Sequence, residues 1–139
     1  MPEVRQERTG WRDQALSERH RRWGWDCPAV DVDFLLLEYD KGQPVALVEY
    51  KHERSPAQYA SHPSYQAMIN LGDRANIPVF AVRYEDTFTC WSVIPLNGIA
   101  TEKLSERAMM TEREWVTFLY ELRGYTPPDT LFDGASVRI

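Results

Sequence analysis

Cysteine is nearly absent: Cys27 and Cys90 are the whole complement, and they stand in neither a metal-ligand nor a CxxC spacing. That argues against a disulfide framework and a zinc site and for two reduced thiols. No apolar run approaches the roughly 20 residues of a membrane span, and the opening stretch MPEVRQERTG is too polar for a signal peptide, so a cytoplasmic protein with no membrane partner is expected. Positive charge is also scarce. Sixteen Lys and Arg against 21 Asp and Glu leave a net charge of −5, which counts against a simple nucleic-acid binder, since such proteins neutralise phosphates with cations. An internal repeat, a low-complexity tract, a phosphate-cradling glycine loop and a Ser/His/Asp arrangement are all missing.

What the chain does contain is enough apolar material for a core. With 139 residues, 43% of them hydrophobic, it suits a single domain over 1–139, with a loose arm at 1–9 and an irregular tail from 125 to 139. The centre of that domain is DVDFLLLEYDKGQPVALVEYK, Asp31 to Lys51. Two apolar runs, Phe34–Leu37 and Val45–Val48, flank Asp40, Lys41, Gly42, Gln43 and Pro44, whose composition favours a turn, so the stretch reads as a β-hairpin. With the turn centred near Lys41, antiparallel pairing sets Asp33 opposite Glu49 and Asp31 opposite Lys51. Alternation puts Glu49 and Lys51 on one face about 7 Å apart, and Asp31 and Asp33 likewise share a face. Strands this apolar belong in the middle of a sheet, where unpaired carboxylates are costly unless a partner or a divalent cation compensates them.

An Asp followed on the next strand by Glu-x-Lys resembles the PD-(D/E)xK nuclease superfamily, the restriction-endonuclease-like fold that also includes Holliday-junction resolvases and RecB-type nuclease domains. The resemblance covers roughly residues 10 to 95. No Pro precedes Asp31 or Asp33, which leaves two candidates for the first position; the pairing with Glu49 favours Asp33. The resemblance implies a Mg²⁺-dependent deoxyribonuclease, with Mn²⁺ as a substitute, whose metal is held by Asp33, Glu49 and the backbone carbonyl of Tyr50. Lys51 would position or help deprotonate the attacking water and offset transition-state charge, so Asp33, Glu49 and Lys51 are the expected catalytic residues. Products with a 5′ phosphate and a 3′ hydroxyl are implied, DNA is the expected partner, and a domain this small would work as a homodimer or in a larger nucleoprotein assembly.

Upstream, residues from about Trp11 to Trp23 suit a helix closed by Gly24. Glu18 on that helix is a further candidate metal ligand by the same resemblance, against a surface ion pair with Arg21 or Arg22; Arg19 and His20 beside it are candidate phosphate contacts. Downstream, His52 and the loop broken by Pro56 and Pro63 are placed to meet substrate, and Ser61 or Ser64 is the expected cap of a helix running to about Asn76. Tyr65 and Gln66 on that helix are similar to the Gln and Tyr of RecB-like members, without their full spacing; Gln66 is a candidate substrate contact. IPVFAVRY and TFTCWSVI then read as strands, Pro95–Ala100 as the exit from the sheet, and Thr111 with Glu114 as a capping box opening a last helix that ends at Gly124. The fold class is α/β (α+β): a central mixed sheet flanked by helices in the order αββαββ plus a C-terminal helix, the order of a restriction-endonuclease-like core.

A second function class is a catalytically silent accessory or DNA-binding protein on the same fold, to which the acidic charge points. A third is a structural domain in which Lys51 neutralises Asp31 and Asp33.

Overall fold

Gly42 adopts φ +62°, a left-handed conformation that glycine accepts without strain, and lets the chain reverse after one 3₁₀ turn, Tyr39–Lys41. The computed structural model describes residues 14–23, 28–56 and 59–132, and the chain falls into two units, Met1–Asp31 and Val32–Ile139.

The first unit contains α1, Gln14–Arg22, whose last turn carries Arg19, His20, Arg21 and Arg22. Cations there complement the partial negative charge of a helix C-terminus. The expected start at Trp11, the Gly24 stop and Cys27 lie outside the described residues; the helix ends in agreement with the reading, at Arg22, with the Trp23 N–H still donating to Arg19 O at 3.0 Å.

The second unit is α+β. Its strands are β1 (Phe34–Glu38), β2 (Gln43–His52), β3 (Val79–Tyr84), β4 (Trp91–Pro95) and β5 (Ala108–Met110); α2 (Pro63–Ala75) lies between β2 and β3, α3 (Gly98–Lys103) between β4 and β5, and α4 (Glu112–Leu122) follows. The five strands form one mixed sheet in sequence order. β2 and β3 run parallel, which demands a crossover, and α2 supplies it. The other three pairs are antiparallel.

Alternation along these strands divides the core. Val48, Phe80, Val82 and Val93 face Trp115 of α4 and Ala100 of α3. Leu47 and Val79 face the other way, onto Met68 of α2 and Ile77. Gly72 marks the tightest approach of α2 to the sheet: a Cβ there would collide with Val79 and lie 3.1 Å from Ile77 O.

Several boundaries differ from the sequence reading. His62, not Ser61 or Ser64, caps α2, its Nδ1 accepting from the Ser64 N–H at 3.2 Å, with Pro63 opening the helix. The fourth strand begins at Trp91 rather than Thr87, because residues 85–90 form a hydrogen-bonded turn with Phe88 at φ +56°. The stretch read as an exit holds α3, capped by Asn97, and the chain returns to the sheet as β5. The capping box is present as expected, Glu114 N–H to Thr111 Oγ1 at 3.1 Å and Thr111 N–H to Glu114 Oε1 at 2.8 Å. Among the described residues no helix is long and apolar enough to cross a membrane.

Candidate active site

β2, which carries the candidate site, is an internal strand with β1 against one edge and β3 against the other, whereas β1, expected in the middle of the sheet, is its exposed edge strand. The paired register ends at Phe34↔Val48, one residue short of Asp33 and Glu49, whose carboxyl groups are nonetheless close enough to interact. The Asp33 carboxylate turns back onto the strand end, Oδ2 accepting the Tyr50 N–H at 3.1 Å. In antiparallel pairing a residue directs its N–H and C=O to the same neighbour, so the Tyr50 carbonyl belongs to this same edge of β2.

Glu49 is the strained member of the group. Its side chain is 12% exposed, Lys51 Nζ lies 3.4 Å from Oε1, and Oε2 is buried with no hydrogen-bond partner. Burial pushes the Glu49 carboxyl above the usual carboxylate range and the negative charge of Asp33 adds to the rise, while Lys51 pulls the other way. A buried, half-satisfied carboxylate beside a second one is the kind of charge cluster that a hard cation compensates through oxygen ligands. Two carboxylates and a main-chain oxygen at the end of one strand pair are oxygen donors of the type that a hard divalent cation takes. Among the described residues no cluster of three or more His, Cys, Asp or Glu side chains forms, so water and substrate oxygens would complete the shell.

Two residues join this face that the sequence reading did not assign to it. Tyr65 of α2 is buried, which pushes its phenol up, and it sits in the electrostatic fields of Lys51, Glu49, Arg83 and Asp33. Arg83 on β3 is the register partner of Lys51, and its Nη2 donates to the carbonyls of His52, Glu53 and Ser55 at 3.5, 2.9 and 2.7 Å. It closes the turn that follows Lys51. The available signal was parity: Arg83 is in step with Val79 and Ala81 in VFAVRY, a cation on a buried face.

The remaining candidates lie elsewhere. His52 follows Lys51 and therefore points to the opposite face, where Nε2 meets Asp86 Oδ1 at 2.6 Å. Its Nδ1 accepts from the Arg54 N–H at 3.1 Å, so the ring proton is on Nε2 and donates to Asp86. The Gln66 side chain donates to Ala60 O at 2.8 Å and ties the loop to α2. Glu18, Arg19, His20 and Asp31 belong to the first unit, where Glu18, His20 and Asp31 border one hollow. Of the predicted group, Asp33, Glu49, Tyr50 and Lys51 come together.

Comparison of the chain with protein-family models, with curated proteins and with solved structures gives no match.

Proposed function

We propose that the protein is a Mg²⁺-dependent deoxyribonuclease of the restriction-endonuclease-like class, with Asp33, Glu49 and Lys51 as its working residues. The observation that carries the reading is Glu49: a carboxylate buried on the sheet, one oxygen without a partner, with a second carboxylate and an ammonium beside it. The hairpin β1–β2 followed by the α2 crossover to parallel β3 supports the fold class, since that order lets one strand end present Asp, Glu and Lys together.

Asp33 and Glu49, with the Tyr50 carbonyl, would hold the cation. A bound Mg²⁺ supplies charge neutralisation at the scissile phosphate and makes water more acidic. Lys51, 31% exposed, has donors for a water or a phosphate oxygen, and its charge favours the more negative transition state over the ground state. Asp33 is fixed by the Tyr50 N–H and Lys51 by the turn that Arg83 closes, so the groups are held in place before substrate arrives. Hydrolysis would leave a 5′ phosphate and a 3′ hydroxyl, and a homodimer or a larger assembly would supply the DNA footprint. The net charge of −5 favours the accessory reading as the alternative.

The test is incubation of end-labelled single-stranded, duplex and four-way-junction DNA with Mg²⁺, Mn²⁺ or EDTA, followed by analysis of the product ends. Cutting with either metal, none with EDTA, and 5′-phosphate ends support the nuclease. Folded protein that leaves every substrate intact moves the assignment to the accessory role.

A further inference from the structure

On the face of the sheet opposite Glu49 and Lys51, at the same end of β2, five aromatic side chains line a cleft of about 350 Å³: Phe34, Tyr50, Tyr84, Phe88 and Trp91. Tyr84, Phe88 and Trp91 lie within 30° of parallel, and their centroids stand 5.8 to 6.0 Å apart in all three pairs, so each ring leans on the other two in a triangle. Tyr50 stands across it, at 78° to Tyr84 and 75° to Trp91, and Phe34 meets Tyr50 edge-on. Tyr50 itself is anchored, its hydroxyl accepting from Trp115 Nε1 at 3.1 Å.

Phe88 makes this a built site. A bulky residue at φ +56° is costly, and such an outlier persists only where its surroundings enforce it. Here the Phe88 N–H donates to Glu85 O at 2.9 Å, Trp91 Nε1 donates to Phe88 O at 3.0 Å, and the hydroxyls of Thr87 and Thr89 both bond the Glu85 carboxylate. The turn holds a ring that is 47% exposed against both Tyr84 and Trp91. For a purely structural turn, glycine would serve better there.

We infer that this cleft binds an unpaired nucleobase of the DNA substrate. The inference rests on the nuclease reading and adds a substrate feature to it, a single-stranded or splayed segment. A base can lay its π-face on the exposed Phe88 ring, whereas an alkylammonium, which the crosswise Tyr50 would also suit, needs a free carboxylate or an uncharged surround to favour it over a base. The carboxylates nearby are already engaged, Glu85 by the two threonines and Asp86 by His52 and Arg54. Arg54, 74% exposed, commits Nη2 to Asp86 and keeps further donors for a backbone phosphate at the rim. Asp33 and Phe34 are adjacent residues, as are Tyr50 and Lys51, so one strand end serves cleft and cluster on its two faces.

The test is the affinity of wild type and Phe88→Gly in EDTA for three fluorescent DNAs: a single strand, the same strand carrying abasic sites, and a duplex. Glycine accepts the backbone conformation, so the variant keeps its melting temperature; Phe88→Asn serves the same purpose should it not. The wild type is expected to prefer the intact single strand, and the substitution to weaken that complex about tenfold or more, leaving the abasic strand unchanged. Equal affinity of both proteins for the intact strand, wild-type binding of the abasic strand as tight as that of the intact one, or quenching of tryptophan by tetramethylammonium in place of DNA binding would overturn the inference. Metal-dependent cleavage measured on the same two proteins separates the claims. A base effect without cleavage retains the cleft and removes the nuclease; cleavage without a base effect does the reverse.

Discussion

Lys51 and Glu49 are two residues apart, yet they carry opposite burdens. Glu49 is pushed toward its neutral form by burial and by Asp33, and Lys51 is the group that opposes this. Replacing Lys51 by Met therefore removes the donor proposed for the attacking water and also drives the Glu49 carboxyl further up. Cleavage in Mg²⁺ should fall about 100-fold or more while the protein still folds, and the pH–rate profile should be displaced toward higher pH, since without Lys51 burial and Asp33 raise the Glu49 carboxyl unopposed. A pH–rate profile of the Lys51→Met protein against wild type checks both parts. The nearness of Asp33, Glu49 and Lys51 was read from a turn centred near Lys41, but the turn alone does not fix it: the pairs Glu38↔Gln43 and Leu37↔Pro44 would carry Asp33 to Val48, and a register shift between Leu36 and Leu37 corrects the match. Tyr65 was noticed only through a resemblance and Arg83 was not assigned at all: parity along VFAVRY puts Arg83 on the face of Val79 and Ala81, but that α2 and β3 bring both residues beside Glu49 depends on packing.

Among the elements, the joint between β3, α2 and α3 depends on one buried side chain. Asn97 Oδ1 accepts from the Val79 and Ala100 N–H groups at 3.1 and 2.9 Å, and Nδ2 donates to Ile77 O and Asp73 Oδ1, both at 3.0 Å. Asn97→Ala strands buried backbone groups at the start of β3 as well as the cap of α3, so a loss on the order of 3 kcal/mol is expected in denaturant unfolding. The sequence reading passed over Asn97 because α3 spans only six residues and β5 three, too few for a period to show. The longer apolar runs, FLLL, VALV and VFAV, were readable as strands for the converse reason. At the other side of the sheet, Arg123 Nε pairs with Glu38 Oε1 at 2.8 Å, joining the chain just past α4 to the end of β1. The Arg123 hydrogen bond holds the Glu38 carboxyl below its ordinary range. A carboxyl depressed in the folded state contributes stability above its unfolded pKa and loses it as pH falls through the folded one. Thermal melts of wild type and Glu38→Gln should thus differ at neutral pH and converge in acid.

At the scale of the whole molecule, the proposed function makes the second unit a cation-linked fold. A ligand that binds the native state alone stabilises it by RT ln(1 + [L]/Kd), about 2.7 kcal/mol when present at 100 times Kd. Mg²⁺ or Mn²⁺ should accordingly raise the melting temperature of wild type and leave that of Asp33→Asn unmoved; an equal rise in both would place the ion elsewhere. The acidic net charge gives such a protein little non-specific hold on DNA, so affinity has to come from the metal cluster, the aromatic cleft and assembly with further copies or partners.

Glu49 offers the most direct test, because its substitution by Gln keeps the shape of the side chain while removing the buried charge. Wild type and Glu49→Gln are compared for cleavage of a labelled branched or single-stranded DNA in Mg²⁺, beside their melting curves. The account predicts that wild type cuts, that the variant is slower by about 100-fold or more, and that its melting temperature is equal or higher, since the cost of burying the Glu49 charge beside Asp33 exceeds what Lys51 returns. Undiminished cutting by folded Glu49→Gln would contradict it.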